Sequence, residues 1–529
     1  MSGHGPAIEL SPPTDDTVAH HSTDGGAAKG LFARVADVNS EASLEHADDE
    51  TLKATRSTCE DAVGMQRMGK EQQLVRRFKQ LSIISFVAIA TAAWEIGLFI
   101  ISPGLINGGR SALVYNTIWN FIGFGPIYLS MAEMASMAPI AGAQYHWVSE
   151  FAPESCQRFL SYLTGWTSTI AWQAGNAMGI FLVGSLIQTM ILVNNENYPF
   201  PSWHGTLLAF AAMAFAYVGN VYGNRILPYW QTAVFAIHVG GFLGYVVPIW
   251  MNAPKASHLQ VWASFENEGG WSSIGLAVLA AHMSEEVKDA ASSIPRTMMA
   301  VYFINMGFIL LSVVTVAYHI PDLDAALNDT TTYPALYVLK QSMSVGWVTV
   351  MLVIMLVVNM ASNIVYLAAV TRDLFAFARD KGVPFSGWLA TIHPKRQIPV
   401  NATIFSCCTA LLLALIYIGS PVAFYAITSL ATISLLQCYC LSIGCHLWRR
   451  INKPETLPPA KFPLGRFGIP LNVAAVVYAL YSFFWAMWPT TYPVTASGFN
   501  WASPIFVAAF IGAMIYFVQG EAYLCRAST

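Results

Sequence analysis

The stretch Ser344–Thr371 reads SVGWVTVMLVIMLVVNMASNIVYLAAVT and contains no charged residue. A bilayer core about 30 Å thick is crossed by roughly 20 apolar helical residues, so this stretch is long enough to span a membrane. Comparable apolar runs recur along the chain. Together with this one, the eleven runs are 81–103, 113–137, 159–193, 204–223, 226–251, 299–319, 344–371, 400–418, 421–447, 470–489 and 502–519. The sequence therefore predicts an all-α polytopic membrane protein.

Charge is scarce outside the N-terminal region. The 529 residues are 55% hydrophobic and 11% charged, whereas soluble globular domains carry about 25% charged residues. Residues 1–80 hold 22 of the 57 charges, which leaves the rest too poor in polar groups to coat a soluble surface. A soluble enzyme is close to excluded, and the net charge of −3 provides no electrostatic footprint for nucleic acid.

Composition divides the chain into three parts. Residues 1–80 are rich in Ser, Thr, Asp, Glu, Ala and Gly and have no signal peptide, so we predict a disordered cytoplasmic tail. Residues 81–519 form the predicted transmembrane domain, and residues 520–529 form a short cytoplasmic tail. The eight cysteines show no disulfide framework or metal spacing, and nucleotide-binding and hydrolase motifs are absent. No metal or cofactor is expected.

The basic residues predict the orientation in the membrane. With the tail in the cytoplasm and twelve crossings, 24 of the 27 Lys and Arg residues lie inside, and only Arg110, Lys255 and Lys340 lie outside. The N-x-S/T sequon of an external loop, Asn328–Thr330, is then a candidate glycosylation site at Asn328.

The sixth of these twelve crossings is short. Trp271–Met283 has 13 residues, which corresponds to about 20 Å of helix. Without this crossing the later spans invert, and the two richest basic clusters face outward. Either the segment crosses as a strained remnant or residues are missing from the sequence, and we favour missing residues.

Two ionisable residues fall at membrane depth, where a charge is costly and points to function. Glu95 lies past the middle of the first span, where small residues beside an acid favour a broken helix that binds substrates or ions. Its carboxylate suits an amine or a proton, and a structural hydrogen bond is the alternative. His238 is a possible proton relay, although packing beside two glycines is the favoured interpretation. The substrate and coupling-ion candidates of the first span are Thr91, Ala92, Ala93, Trp94, Glu95 and Gly97.

Polar patches mark two further spans. Aromatic and amide side chains lie within about three turns of the third span: Trp166, Trp172, Gln173 and Asn176. An amide and hydroxyl patch shares one helix face of the eighth span: Asn359, Ser362 and Asn363. Each patch either lines a cavity or makes interhelical hydrogen bonds. From these patches Trp172, Gln173, Asn359 and Asn363 are further candidate site residues.

The stretch Ser130–Pro153, SMAEMASMAPIAGAQYHWVSEFAP, resembles an inner hairpin of the fungal amino acid/choline transporter family. That family includes GABA permeases and belongs to the amino acid–polyamine–organocation superfamily. Within the hairpin, Pro139 stops a helix, Gly142 turns the chain and Gln144–Trp147 begin an amphipathic segment. Five other stretches match in order and spacing: NGG at Asn107–Gly109, FLSYLTGW at Phe159–Trp166, PSWHGTLL at Pro201–Leu208, HMSEEVKDA at His282–Ala290 and TRDLFAFARDKGVP at Thr371–Pro384, followed by IPVNA at Ile398–Ala402. In the inner loop, Gly382 and Pro384 are predicted helix stops.

The resemblance implies a twelve-helix inverted-repeat fold of five plus five helices and two extra helices. It implies a central site between broken first and sixth spans, and proton-driven uptake across the plasma membrane. The first-span break maps to Thr91–Gly97. The sixth-span break has no counterpart, because Trp271–Leu276 runs almost directly into His282–Glu286, where the family places roughly fifteen more residues with a Gly-rich unwound segment.

Two functions follow as hypotheses. The first is a secondary transporter that imports small amino acids or amines (the amino acid, GABA or choline class) from the outer side of the lipid bilayer, with a proton as the expected coupling ion. The second is a non-transporting membrane sensor or inactive paralogue, which the shortened sixth span favours. A uniporter or exchanger is a third possibility.

Overall fold

The computed structural model describes residues 80–527 apart from 140, 141, 224, 225, 282–294, 330–332, 395, 397, 490 and 496–498. The predicted N-terminal tail and the motif His282–Ala290 lie outside the described residues. The described chain is almost entirely helical. Its helices are α1 (Gln80–Thr91), α2 (Ala93–Gly97), α3 (Ser102–Met137), α4 (Ala143–Phe151), α5 (Gln157–Asn194), α6 (Ser202–Tyr222), α7 (Leu227–Asn252), α8 (His258–Trp262), α9 (Ile274–Ala281), α10 (Pro295–Tyr318), α11 (Leu323–Leu327), α12 (Pro334–Ser342), α13 (Val345–Arg379), α14 (Ser386–Leu389), α15 (Val400–Gly419), α16 (Pro421–Asn452), α17 (Gly468–Ala486) and α18 (Ala502–Ala527).

Apolar length identifies the membrane-spanning helices. Within the described ranges, nine helical stretches are long and apolar enough to cross a bilayer. A further unit is bent by 76° between Ile84–Gly97 and Ser102–Met137. The prediction of an all-α polytopic membrane protein is confirmed, and the count of twelve crossings stays a prediction.

The second predicted span begins earlier than its apolar run suggested. Helix α3 starts at Ser102 rather than near residue 113, with a non-helical backbone at Gly109. The cause is a contact that hydropathy does not report. Arg110 is buried, and its guanidinium forms an ion pair with Glu266 at 2.6 Å and donates to the carbonyl of Ile320 at 2.6 Å. A residue counted as an external loop cation is therefore part of the helix.

The predicted hairpin after α3 is confirmed. Helix α3 ends at Met137, before Pro139, and α4 begins directly after Gly142. Gly142 has a φ of 84°, which only glycine adopts without strain. The indole nitrogen of Trp147 donates to the carbonyl of Ala138 at 2.9 Å and closes the turn.

The predicted stop of the eighth span is placed slightly wrong. Helix α13 ends at Arg379, and the left-handed residue that follows is Lys381, with a φ of 59°, rather than Gly382. Gly382 has another role, because its amide bonds to the carbonyl of Phe377, and a Cβ at this position would lie 2.1 Å from the Phe377 ring. Close packing, rather than a special φ, explains the glycine.

Helix packing places the first helix inside the bundle. Helix α5 packs against α13 and α16, and α13 also contacts α1, α6 and α7. Helix α1 lies against α7, α10 and α13. Because α1 is enclosed by three long helices, the chain interruption that follows it is buried, and Trp94 is among the largest fully buried side chains.

Candidate functional site

The first span is interrupted at a single residue. Ala92 separates α1 from α2 and has a left-handed backbone, with φ 41° and ψ 51°. A non-glycine residue in this region costs on the order of 1–3 kcal/mol, so surrounding contacts must hold it. The predicted stretch Thr91–Gly97 thus covers the observed break.

Side chains from two other spans hold the end of α1. The hydroxyl of Thr91 donates to the carbonyl of Ala88 at 2.8 Å and accepts from the amide of Asn305 on α10. The hydroxyl of Ser362 on α13 donates to the carbonyl of Ala90 at 2.8 Å. These bonds satisfy backbone groups that a broken helix leaves unpaired.

Glu95 and His238, which the sequence picked out separately, meet at the break. Nδ1 of His238 lies 2.7 Å from Oε1 of Glu95, and both side chains are fully buried. Such a short contact is typical of a charge-assisted hydrogen bond. Oε2 of Glu95 and Nε2 of His238 have no hydrogen-bond partner among the described residues. Oε2 of Glu95 and Nε2 of His238 are therefore available to a third group.

Aromatic rings surround the pair. The His238 ring centroid lies 6.1 Å from Trp94, 6.0 Å from Phe235 and 5.4 Å from Phe308. Ring faces attract a cation, and a dry surrounding strengthens electrostatic interactions. The rings therefore form a setting that suits a cation next to the Glu95 carboxyl group.

Two buried donors lie beside this pair. The Trp94 ring packs 5.7 Å from the ring of Tyr245 on α7. Neither the indole nitrogen of Trp94 nor the hydroxyl of Tyr245 has a hydrogen-bond partner among the described residues. Burying such groups without partners costs a few kcal/mol each, by analogy with other polar groups. Both are available to a polar ligand.

The predicted residues of the third span face a different neighbour. The amide of Gln173 donates to the hydroxyl of Ser406 on α15 at 2.9 Å, and Asn176 donates to the Ser406 carbonyl at 3.3 Å. The Trp172 ring lies 5.1 Å from the Tyr366 ring on α13. In this conformation these side chains connect helices, which is the interhelical alternative.

The eighth-span patch is divided between two roles. Its Ser362 reaches the break, as described above. Asn359 donates to the carbonyl of Met355 on its own helix at 2.9 Å, and Asn363 donates to the carbonyls of Asn359 at 2.8 Å and Gly179 at 3.2 Å. Asn359 and Asn363 therefore stabilise α13 and its contact with α5, and the structure does not bring them to Glu95.

Sequence reasoning missed several neighbours of the pair. The rings of Phe242 and Tyr245 pack 6.0 and 5.7 Å from the Trp94 ring. They follow His238 at i+4 and i+7, so helical spacing was a usable signal for both. Asn305 is an isolated amide in an apolar span, and the cost of a polar group at membrane depth was the available signal. Phe308 has no such signal, because it is one apolar residue among many.

The sixth predicted crossing is described only in part. Helix α9 is described over the eight residues Ile274–Ala281, about 12 Å of helix, and residues 282–294 lie outside the described part. It packs against α3, where the amide of Asn116 donates to the carbonyl of Val278 at 2.9 Å. Nothing in the described chain supplies a second broken helix opposite Glu95.

The glycosylation candidate lies at the end of a short helix. Asn328 is exposed and caps α11, and its amide donates to the carbonyl of Asp324 at 2.9 Å. Thr330 of the sequon lies outside the described residues. Exposure is consistent with modification, and the use of the site stays a prediction.

Comparison with known proteins gives the family. Residues 78–511 match the amino acid permease family. Relatives include a putative amino acid/polyamine transporter of Macrophomina phaseolina, 26% identical over 80% of this chain and 97% of the relative. The choline transporter of Saccharomyces cerevisiae is 24% identical over 86% of this chain and 83% of its own length. The GABA-specific permease of the same yeast is 24% identical over 94% and 90%, respectively. The chain belongs to the amino acid permease family.

Proposed function

We propose that this permease imports small amino acids or amines by proton-coupled alternating access, with Glu95 as the shared site of the substrate ammonium and the proton. The observation that carries the proposal is the buried 2.7 Å contact between Glu95 and His238 at the break of the first span. Broken helices bind substrates and ions at the midplane of secondary transporters. The fully buried pair is therefore a suitable coupling centre.

Charge balance explains how the pair couples two events. An ionised Glu95 without a cation leaves a negative charge at membrane depth, which is costly to move through the bilayer. A proton on His238 neutralises that charge, and a zwitterionic substrate adds none. The loaded site is then neutral only when the proton is present, which favours movement of the two together.

A cationic substrate changes the balance. Its ammonium would neutralise Glu95 by itself and would compete with a protonated His238 for the same carboxylate. The relatives named as a choline transporter and a GABA-specific permease supply one probe of each charge class. We therefore expect acid to stimulate uptake of a zwitterion such as GABA more than uptake of choline.

The placement of the substrate follows from the open groups at the break. Oε2 of Glu95 accepts the ammonium, and the indole of Trp94 and the hydroxyl of Tyr245 are buried donors without described partners. We propose that the protein lies in the plasma membrane with both termini in the cytoplasm, which the basic residues favour. Asn328 would then face outward as a glycosylation site.

A second function is favoured by one observation. The sixth predicted crossing, Trp271–Met283, has only 13 residues, about 20 Å of helix, so the second half of a two-helix site is short. A chain translated as written could serve as an inactive paralogue or a membrane sensor. Sequencing the transcript across the codons for Leu276–His282 tests the origin of this segment. An uninterrupted transcript identical to the sequence would remove a missing exon as its explanation.

Uptake in a transporter-deficient yeast tests the proposal. Labelled GABA, choline and amino acids are supplied at two external pH values to cells that express the wild-type chain, the E95Q variant or the surface control E154Q. We expect uptake by the wild type and by E154Q, stimulation of zwitterion uptake by acid, and no uptake by E95Q. A wild-type chain that reaches the cell surface and imports none of these substrates would refute transport and favour the second function.

A further inference from the structure

Asp373 is a second buried carboxylate, and the mechanism above does not use it. It lies on α13 and is 8% exposed. The hydroxyl of Ser168 on α5 donates to its Oδ1 at 3.0 Å, and Ser168 is itself buried. Sequence analysis placed this residue in an inner loop, but α13 continues to Arg379 and carries Asp373 into the bundle.

No cation neutralises Asp373 in the described part of the chain. The arginine that precedes it, Arg372, is exposed and makes no described ion pair with it. The ionisable groups that face Asp373 are Tyr145 on α4, Cys438 on α16 and Tyr366 on its own helix. Phenols and thiols are neutral near pH 7. Among the described residues, the ionisable groups next to this carboxyl group are therefore neutral.

Tyr145 does not act as a donor to Asp373. Its hydroxyl lies 3.1 Å from Oδ2 of Asp380 and donates to it. Burial, together with Asp380, raises the pKa of Tyr145 well above its ordinary value, so the phenol stays protonated at physiological pH. Ser168 donates a hydrogen bond to Asp373, and the hydroxyl of the neighbouring Thr169 interacts with the same carboxyl group. Two neutral hydroxyls do not offset the desolvation of a buried anion, and the protonated carboxylic acid is the favoured form.

The position of Asp373 differs from that of Glu95. Asp373 lies toward the end of the bundle where α5 begins and α13 ends, beside the hairpin helix α4. In the proposed orientation this end is cytoplasmic. Thr167 on α5 precedes Ser168 in the sequence, and it contacts Cys438 on α16 at 3.3 Å. This contact helps to close the surroundings of Asp373. A movement of α4 or α16 away from α5 would admit water to the carboxyl group.

The geometry points to Asp373 as a second proton site, which holds a proton while α4, α5 and α16 enclose it and releases that proton to the cytoplasm when this side opens. On release, the O–H bond of the carboxylic acid breaks, water takes the proton and the carboxylate remains. The carboxylate is protonated again by the next proton that Glu95 and His238 carry inward, so that each cycle releases one proton to the cytoplasm. This inference rests on the proposed proton-coupled function. In that function, Asp373 is the site from which the proton leaves for the cytoplasm.

Proteoliposomes that contain the full chain separate exchange from proton-driven accumulation. Labelled GABA is the probe, the D373N variant removes the titratable group while it keeps the shape, and D380N is the matched control at the same end of α13. With an inward gradient of one pH unit, a single coupled proton supports about tenfold accumulation. We expect this accumulation in the wild type and in D380N. We expect D373N to exchange GABA within about twofold of the wild-type rate but to show no accumulation.

The outcomes distinguish the two proposals. Accumulation by D373N equal to that of the wild type would overturn the exit site and leave the proposed function intact. Absence of proton-driven accumulation in the wild type itself would overturn proton coupling and, with it, the exit site.

A chemical probe keeps the inference testable if D373N does not fold. Dicyclohexylcarbodiimide adds to protonated carboxyl groups in apolar surroundings, and mass spectrometry locates the adduct in the wild-type chain. We expect an adduct on Asp373 at pH 7 that decreases as the pH rises. Glu133, which is also buried but lies 2.6 Å from the guanidinium of Arg450, is the internal control and should not react. Absence of reaction at Asp373 would overturn the inference.

Discussion

Glu95 and Asp373 are both carboxylates inside the bundle, and they differ in their partners. Glu95 meets a base, because Nδ1 of His238 lies 2.7 Å away. Asp373 meets a hydroxyl, because Ser168 donates to it at 3.0 Å. A base can share a proton and keep the carboxylate ionised, whereas a hydroxyl leaves the carboxyl group to hold the proton itself. In the proton roles that we propose, the partner, rather than burial, distinguishes the two acids.

Glu133 completes the comparison as a structural acid. Its two oxygens lie 2.6 Å from the guanidinium of Arg450 and 2.9 Å from the backbone amide of Leu464. A permanent cation fixes its charge, since arginine does not lose its proton in proteins. It ties α3 to the ends of α16 and the loop before α17, and we expect no transport role for it.

The largest effect should come from E95Q. Glutamine keeps the volume of the side chain but can neither ionise nor attract an ammonium, so we expect at least about a 100-fold loss of uptake. The measurement is labelled uptake normalised to surface protein. Uptake by E95Q within a few-fold of the wild type would remove the contrast between Glu95 and the other buried acids.

A smaller effect is expected from H238N. The amide nitrogen of asparagine can replace Nδ1 as a donor to Glu95, but it does not titrate. We expect uptake of GABA to fall about tenfold and to lose its stimulation by acid. The pH profile of uptake from pH 5 to 8 checks this, with H238A as a variant that lacks the donor as well. An unchanged profile in H238N would show that His238 only packs.

S168A should act on Asp373 alone and only modestly. The Ser168 hydroxyl stabilises the ionised carboxylate after proton release, so its loss should slow turnover when the vesicle lumen is acidic. A single hydrogen bond of this kind is worth about fivefold in rate. Turnover at luminal pH 6 and pH 8 is the measurement, and an equal effect at both values would contradict a role in proton release.

The smallest effect is expected from Q173L. The Gln173 amide bonds to Ser406 between α5 and α15, and no described hydrogen bond joins it to either acid. An interhelical hydrogen bond in a membrane contributes about 0.6 kcal/mol on average, so we expect a slightly lower thermal stability and uptake within about twofold of the wild type. Thermal unfolding of the detergent-purified protein tests the first point. A large loss of uptake without a loss of stability would show that Gln173 takes part in transport.

Much of the helical architecture could be predicted, because it depends on residues that are close together in the sequence. Apolar length predicted the membrane helices, and Pro139 with Gly142 predicted the hairpin before α4. The cost of charge in a bilayer singled out Glu95 and His238 individually. Their contact could not be predicted, because the two residues are 143 positions apart and meet only through the packing of α1 against α7.

The position of Asp373 could not be predicted, because hydropathy placed the end of its helix too early. Hydropathy ended the eighth span at Thr371, because charged residues follow it closely. The helix continues regardless, since α4, α5 and α16 cover its end and replace the missing apolar residues of the span itself. A single sequence cannot reveal this cover, because it comes from residues that are distant along the chain, such as Ser168 and Cys438.

Proton flux shows whether Glu95 and His238 couple a proton to substrate movement. A pH-sensitive dye inside proteoliposomes reports luminal acidification when GABA is added outside without a pH gradient. We expect the lumen to acidify in step with GABA entry for the wild type and to show no acidification for E95Q. GABA entry into wild-type vesicles without acidification of the lumen would contradict this coupling.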